Sequence, residues 1–413
     1  MRVENVLAIT NWSYRDALIQ TYTLPYIKLI RKNIPPSGTI YLVTLEQKGM
    51  EFNIEVKRRI EKELKDQGII WIDFRFSKFG GKAIFERFIQ LIKLWYLCIQ
   101  KRIDYIHVWC TPAGVTGYLL SVISRKTLIL DSFEPHAEPS VETGTWKANS
   151  FAFKFLFYFE KKQAERAKIT IAASSFITDY AKDKWKIELK NIFVKPALVD
   201  LEKFNYESKK EPGLLKSFGL ENKIVCVYAG KVGGIYLDNE IFDFIKVCHN
   251  YWGNKFRFFM ITDISRKQIE EFCNNAKLDT EIVVSCFVQY NEIQSYIGAG
   301  DFAINPVKMV KSKRCCTSIK DGEYWAMGLP IVITNSVGED VKIILDNNAG
   351  VVLESLDKSE YYRAVEKIDA MLKESTMSEL YCKIRPIAEK YRNYDIAKRI
   401  YSVIYNSSTF SEE

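Results

Sequence analysis

Histidine is scarce in this sequence, with three in 413 residues, and the nine cysteines include no C-x-x-C pair. Cys315 and Cys316 are adjacent, too close for ordinary zinc-ligand spacing, and no other His/Cys cluster has that spacing. An odd cysteine count without a framework argues for reduced thiols and against a disulfide scaffold. No two aspartates are separated by a single residue. No bound metal is therefore expected. Long apolar runs are also missing. The longest, Phe88 to Ile99, is interrupted by Gln90 and Lys93 and falls short of the ~20 residues that cross a bilayer. At the start, M-R-V-E-N-V-L-A-I-T passes straight into a strand-like run, so no secretory leader is read there. The expectation is a cytoplasmic chain without repeats or low-complexity tracts.

Hydrophobic residues make up 47% of the chain and charged residues 27%, the balance of a globular protein with a large core. At ~100–200 residues per domain, the length suggests two or three domains. The net charge of +8 suits anionic nucleotides, phospholipid carriers or a membrane surface, and equally an ordinary basic protein. No nucleic-acid partner is expected.

Strand-like apolar runs alternate with helix-period segments, the pattern of parallel α/β sheets. In the first half strands are predicted at 6–10, 40–44, 69–74, 105–109, 128–131, 169–172 and 192–194, with helices at 16–31, 53–66, 82–100 and 150–168. In the second half they are predicted at 224–229, 257–262, 281–285, 302–304, 331–334 and 350–353. Helices are read there at 238–251, 265–276 and 291–298, and two more, near 376–388 and 394–405, follow the last strand. A boundary falls near Pro196–Pro212, where the charged run Glu207–Glu211 reads as a solvated loop.

The stretch Thr317–Thr334, T-S-I-K-D-G-E-Y-W-A-M-G-L-P-I-V-I-T, carries the most chemistry. Thr317 and Ser318 are N-cap types. Lys320, Glu323 and Tyr324 fall at i, i+3 and i+4, one face of a short helix. Gly328 stops that helix, and Pro330 opens a buried strand. A cation and a carboxylate thus sit together at a helix start, where anions are favoured. The carboxylate can accept two hydrogen bonds from a diol such as a ribose. This outlines a sugar-nucleotide site. Upstream, Y-A-G-K-V-G-G at Tyr228–Gly234 follows a strand, and its glycines let backbone N–H groups approach a phosphate beside Lys231.

Ser318, Lys320, Glu323, Tyr324, Ala326, Gly328 and Pro330 keep the spacing S-P-x-K-x-x-E-Y-x-A-x-G-x-P-V-V. This segment resembles the donor-site signature of GT-B-fold glycosyltransferases, in particular the family-four-like group (glycosyl transferases group 1). The resemblance implies an α/β protein of two Rossmann-like domains facing each other, with a C-terminal helix crossing back to the first. The acceptor-side domain would take residues 1–203 and about 390–413, and the nucleotide-sugar-binding domain 204–389. It implies transfer of a glycosyl group from a nucleotide-diphosphate sugar, as co-substrate with no other cofactor, to an acceptor hydroxyl. Retention of configuration and independence from metal come with it. The absent D-x-D is the metal motif of the other major glycosyltransferase fold.

Lys231 matches the first of two phosphate-binding cations usual in this group. The position of the second holds Tyr236, Leu237 and Asp238, so Lys320 or Arg314, in a run with five basic residues and no acid (Phe302–Lys320), is expected to compensate. Where relatives carry two glutamates eight apart, Glu323 aligns with the ribose-binding second, and Cys315 stands in place of the first. Gly230, Gly233, Gly234, Ser318 and Tyr324 complete the donor-binding set. In the first domain His136 lies in a polar loop with Glu134 and Glu138, where relatives often present a histidine to the donor sugar and its phosphate. His136, Lys231 and Lys320 are the expected catalytic groups. Trp12 and Tyr14, in N-W-S-Y-R-D after the first strand, and Glu134 and Glu138 are acceptor-side candidates. His107 reads as a core histidine, and His249 as a surface or capping one.

The acceptor implied is a glycan or a lipid-linked molecule in polysaccharide or glycoconjugate synthesis. Two aromatic-rich helices, around Phe88–Ile99 and Ser150–Phe159, leave two readings open: core, which their helical spacing favours, or a peripheral contact at the inner face of a membrane. Two other functions stay open. One is a degenerate GT-B module that binds a nucleotide sugar or a partner without chemistry. The other is an epimerase or phosphorylase on the same fold.

Overall fold

The computed structural model describes residues 5–76 and 81–406. The chain divides into two compact units, each built on a parallel sheet. Met1–Glu138, Ala148–Lys195 and Tyr394–Glu413 form the first, and Pro139–Lys147 and Pro196–Asn393 the second.

The first sheet contains β1 (Asn5–Ile9), β2 (Thr39–Glu46), β3 (Ile69–Arg75), β4 (Tyr105–Trp109), β5 (Thr127–Phe133), β6 (Ile169–Ala172) and β7 (Ile192–Val194). Their spatial order is β3-β2-β1-β4-β5-β6-β7. The second contains β8 (Ile224–Ala229), β9 (Phe256–Ile261), β10 (Val283–Cys286), β11 (Phe302–Asn305), β12 (Ile331–Thr334) and β13 (Gly350–Leu353), ordered β10-β9-β8-β11-β12-β13. Every strand read from the sequence is present, with ends that move by at most two residues. Parallel strands covered on both faces appear as unbroken apolar runs, which is why they were legible. In each sheet the order reverses beside the first strand of the unit, at β1/β4 and at β8/β11. Loops leaving strand ends at such a reversal are where α/β sheets bind ligands.

Residues 16–31 depart from the expected single helix. A wide π turn, Ile19–Thr23, runs into an α-helix at Leu24–Arg31. Pro25 sits in the first turn of that helix. It has no N–H to give and its ring crowds the carbonyl four residues back, so the ladder resets there. The two C-terminal helices, Met377–Tyr391 and Asp395–Asn406, belong to different units: the last packs in the first unit.

That last helix is fixed by a polar network without solvent access. Asp131 on β5 receives Lys195 Nζ on Oδ1 at 3.0 Å, and Tyr401 donates to Oδ2 at 2.7 Å. His107 Nε2 lies 2.9 Å from the same Oδ2, and His107 Nδ1 lies 2.6 Å from the Tyr405 hydroxyl. Burial depresses the His107 pKa against the pull of Asp131. A neutral ring donates from Nε2 to the carboxylate and accepts from Tyr405 at Nδ1. Burial alone would raise Asp131, yet Lys195, His107 and Tyr401 together hold it well below the usual carboxylate range. Lys195 Nζ also stands 3.4 Å above the Tyr26 ring, a cation–π contact in a desolvated site.

Asp131→Asn leaves Lys195 as an unpaired buried cation. It is expected to lower the unfolding free energy by about 3–5 kcal/mol in urea titration. A loss below about 1 kcal/mol would show that the network is not a central support. Tyr401→Phe, which removes one hydrogen bond to a charged acceptor, is expected to cost about 1.5–3 kcal/mol.

Candidate functional site

In the second unit the site grows from the end of β8. The backbone N–H of Ala229 donates to the Tyr324 hydroxyl at 3.0 Å, which pins the helix Ile319–Ala326 to the strand end. Gly230 follows with φ +153°, and a Cβ there would lie 2.5 Å from Lys320 Cε. The backbone angle favours glycine, and a side chain there would push the end of the lysine aside. Gly233 and Gly234 also have positive φ, so the turn folds back on itself. Tyr228 braces it by donating to the Lys231 carbonyl. The Lys231 side chain is exposed.

Lys320 is buried and donates to the Tyr236 hydroxyl at 2.7 Å, with Nζ 4.0 Å from the centre of that ring. Tyr236 is held by its bridge to Val307, and the next residue, Leu237, donates its N–H to Pro306 at 2.8 Å. Tyr236 thus positions the cation that the helix supplies. Glu323 is buried as well. Burial raises its carboxyl to about 7, while Lys320, Lys203 and a hydrogen bond from Tyr290 pull the other way. Lys203 lies 3.5 Å over the Tyr290 ring and donates to the Tyr290 carbonyl.

Under the helix, Asp321 accepts from Asn305 at 2.7 Å and meets Asp340, which pairs with Arg392. Burial first, and then the Asp340 charge, keep the Asp321 carboxyl well above its usual range. A protonated Asp321 can donate to Asp340, so this stack is a brace for the helix start. Ser318 takes the N-cap position, but its side chain makes no capping bond. Cys315 is buried and Arg314 exposed. The backbone N–H of Ser312, in the same basic segment, donates to Glu142 Oε2 at 3.1 Å, and its hydroxyl donates to that oxygen too.

In the first unit the loop after β5 carries His136. Its Nδ1 lies 3.0 Å from the Glu134 carbonyl and 3.1 Å from Thr111 Oγ1, and Thr111 itself donates to that carbonyl at 2.6 Å. Since a carbonyl only accepts, Nδ1 carries a proton; Nε2 lies 3.9 Å from Glu134 Oε1. The backbone N–H groups of His136 and Ala137 both donate to Glu160 Oε1, at 2.8 and 2.9 Å. Glu160 is fully buried, and burial lifts its carboxyl to about 8. Glu138 pairs with Lys184 at 3.0 Å. Tyr14 packs into an aromatic cluster with Trp71 and Phe52, leaving little of its ring open. Trp12 is half-buried, its carbonyl accepting from Leu45. His107 lies in the core, as its strand position implied.

The structure therefore gathers Gly230, Lys320, Glu323 and Tyr324 around one strand end. Of the four acceptor-side candidates, Glu134 lies beside His136, Tyr14 and Trp12 pack near β2, and Glu138 pairs with Lys184. Sequence reasoning missed Lys203, Tyr290 and Glu160, and named Tyr236 only as an occupant of the second cation's position without a role. None belongs to a motif, and each acts through a partner distant in sequence. Among the described residues no group of three or more His, Cys, Asp or Glu side chains is placed to hold a metal ion.

Residues 225–370 match the family described as "Glycosyl transferases group 1". No curated protein matches the sequence. Solved structures are similar along nearly the whole chain. A glycosyltransferase from Rickettsia africae is 14% identical with a TM-score of 0.69, covering 98% of each chain. Anabaena HepE in complex with UDP-glucose is 12% identical with a TM-score of 0.70, covering 97% of this chain and 99% of its own. WaaG, a glycosyltransferase involved in lipopolysaccharide biosynthesis, is 12% identical with a TM-score of 0.70, covering 98% and 100%. At such identities the likeness concerns the fold, two parallel-sheet α/β units of the GT-B kind.

Glu323 gives a signed pH dependence. Between its ordinary 4.5 and about 7, the folded chain holds a proton that the unfolded chain has released. The folded state binds more protons in that window, so stability falls as pH rises through it. Glu323→Gln is expected to flatten the slope of melting temperature against pH between about 5 and 7. An unchanged slope would remove Glu323 as its source. Gly230→Val is expected to strain the turn and displace Lys320, and a lowered melting temperature in a thermal-unfolding scan is the outcome that checks it.

Proposed function

We propose that this chain, a glycosyltransferase by its GT-B fold and its group 1 domain at residues 225–370, moves a sugar from a nucleotide-diphosphate sugar to an acceptor hydroxyl. The observation that carries the reading is the pairing of Lys320 and Glu323 on one face of a buried helix, directly beside the glycine turn at Gly230. Lys320 and Lys231 offer cations to the diphosphate, with Ser318 and backbone N–H groups at the helix start. Glu323 in its ionised form accepts from the ribose diol. Lys203 and Tyr290 orient that carboxylate.

The acceptor oxygen bonds to the anomeric carbon while the bond from that carbon to the diphosphate oxygen breaks. The electron pair leaves with the diphosphate, and the acceptor proton passes to it or to a base. Lys231 and Lys320 stabilise the charge that develops on the leaving group, the kind of contribution that dominates many rate enhancements. His136, whose Nε2 lies 3.9 Å from Glu134 Oε1, is assigned to the sugar and its phosphate. The reaction is read as retaining and as needing no metal or other cofactor. The substitution of fixed cations for a carboxylate-bound metal supports the second point. HepE is a protein solved with UDP-glucose, which favours a uridine nucleotide as the first donor to try. WaaG's place in lipopolysaccharide biosynthesis favours glycoconjugate assembly on a glycan or lipid-linked acceptor, at the inner face of a membrane. The burial of Cys315, where relatives hold a glutamate, is the one observation favouring a module that binds without turnover.

A thermal-shift screen against nucleoside diphosphates and their sugars, with and without EDTA, tests the reading. Ligand in excess of its dissociation constant raises the melting temperature by mass action. A selective shift that survives EDTA is expected. No shift at millimolar ligand would overturn nucleotide-sugar binding, and a shift without product release would leave only the binding module. Glu323→Ala is expected to weaken the selected nucleotide by roughly 1.5–3 kcal/mol while the fold persists. Lys231→Ala should lower kcat about 100-fold or more, and a fully active Lys231→Ala enzyme would sink the role given to that side chain.

A further inference from the structure

The first unit has a recess of its own at the C-terminal ends of β1, β2 and β3. It lies on the edge of the sheet where α/β proteins hold ligands. Ile9, Val43, Leu45 and Leu94 give it a buried apolar lining. Asn11, Arg87, Gln90 and Thr116 give it a polar side, each of them half-buried. Arg87 and Gln90 come from the helix Gly81–Gln100, and Thr116 from the helix Cys110–Ser124. The recess is small, enough to take one functional group of a ligand whose body stays outside.

Among the described residues that line it, Arg87 alone carries a charge. Burial lowers the pKa of its guanidinium, and no neighbouring carboxylate offsets the loss of water. Within the described residues Arg87 makes no hydrogen bond and no ion pair. It faces the Phe76 ring with 5.6 Å to the ring centre, near the outer limit of a cation–π attraction. The side-chain amide of Asn11 has no hydrogen-bond partner within the described residues either.

Other recessed arginines of this chain are answered. Arg31 donates to the carbonyls of Ile34, Pro35 and Pro36. Arg385 donates to three carbonyls, and Arg392 pairs with Asp340. Taking a charge out of water is costly unless a partner replaces the water, and at Arg87 the protein supplies none. Gln90 donates to the Arg75 carbonyl at 3.2 Å, which ties the helix of Arg87 to the end of β3. The guanidinium is thus rooted at the recess. Its donors lie in one rigid plane, a fork that fits the paired oxygens of a carboxylate or a phosphate.

We infer that this recess is an anion subsite in which Arg87, together with Asn11, grips a carboxylate or phosphate carried by the acceptor. The inference rests on the reading above that the first unit takes the acceptor, and it narrows that acceptor to an acidic molecule. Arg87 sets specificity by holding the acceptor and takes no part in the exchange of bonds. Binding of a free anion needs no turnover, so its failure and the failure of sugar transfer are separable in one preparation.

The test is calorimetry of the whole chain with glucuronate, glycerol 3-phosphate and glucose as probes. Saturating UDP is present throughout, to fill the phosphate site proposed in the second unit. Binding of at least one anion is expected, with glucose about tenfold weaker or more. A preference for glucuronate would identify a sugar acid, and a preference for glycerol 3-phosphate a phosphate-bearing acceptor such as a lipid headgroup. Arg87→Gln should weaken the preferred anion about tenfold or more, and Arg87→Lys less, with the thermal shift by UDP unchanged. Since Arg87 loses water without gaining a partner, Arg87→Gln should melt no lower than the unaltered chain. If it does melt lower, Asn11→Ala, which keeps the arginine, decides: severalfold weaker anion binding supports the subsite, and unchanged binding overturns it. Absence of binding by both anions would overturn the inference, as would glucose binding as tightly as they do, or full anion binding by Arg87→Gln.

Discussion

The carboxylate of Asp131 collects partners from stretches that are far apart in the chain. His107 comes from β4, Lys195 from just beyond β7, and Tyr401 from the last described helix. A charge without solvent is costly unless every lone pair is answered, and here each oxygen is. The arrangement ties the centre of the first sheet to its edge strand and to the final helix with fixed geometry. Five residues after Asp131 the chain reaches His136. A loop that leaves such an anchor has little freedom at its root, and Glu160 fixes its other side through two backbone N–H groups. The imidazole is therefore presented by a frame and not by a loose surface loop.

The second unit reaches rigidity differently. Burial favours the neutral form of Glu323, while Lys320 and Lys203 favour the ion. Lys320 in turn leans on a phenol, which gives it a hydrogen bond without cancelling its charge. The site thus keeps cation and carboxyl close without collapsing them into a direct ion pair. Below, the Asp321–Asp340–Arg392 stack holds the helix start from inside the core.

How much of this was legible in the sequence follows from the range of the forces involved. β8 and β13 could be read because their pattern is local: unbroken apolar runs between turns. The same holds for Gly230 and Gly328, whose positive φ values are a local demand. Lys320, Glu323 and Tyr324 were readable as one helix face because three- and four-residue spacing puts side chains together. Tyr236 was passed over because its role exists only through Lys320, 84 residues away. Lys203 and Tyr290 meet Glu323 by the same kind of long-range closure. Glu160 was hidden in an aromatic-rich helix whose pattern says nothing about a carboxylate turned inward. The segregation of Pro139–Lys147 with the second unit had no compositional sign, since two hydrogen bonds from Ser312 to Glu142 need no run of residues. The aromatic stripes are ambiguous by nature: helical spacing tells that a face is apolar, not what lies against it.

The return of the final helix sets an order of events during synthesis. Lys195, His107 and Asp131 are made early, but Tyr401 and Tyr405 emerge only after the whole second unit. At about 5–20 residues per second, roughly 200 residues of translation separate the two, some tens of seconds. For that interval the nascent first unit carries the Asp131–Lys195 pair without its phenols and with the seat of the last helix uncovered. Its completion must therefore wait for the synthesis of the domain encoded in between.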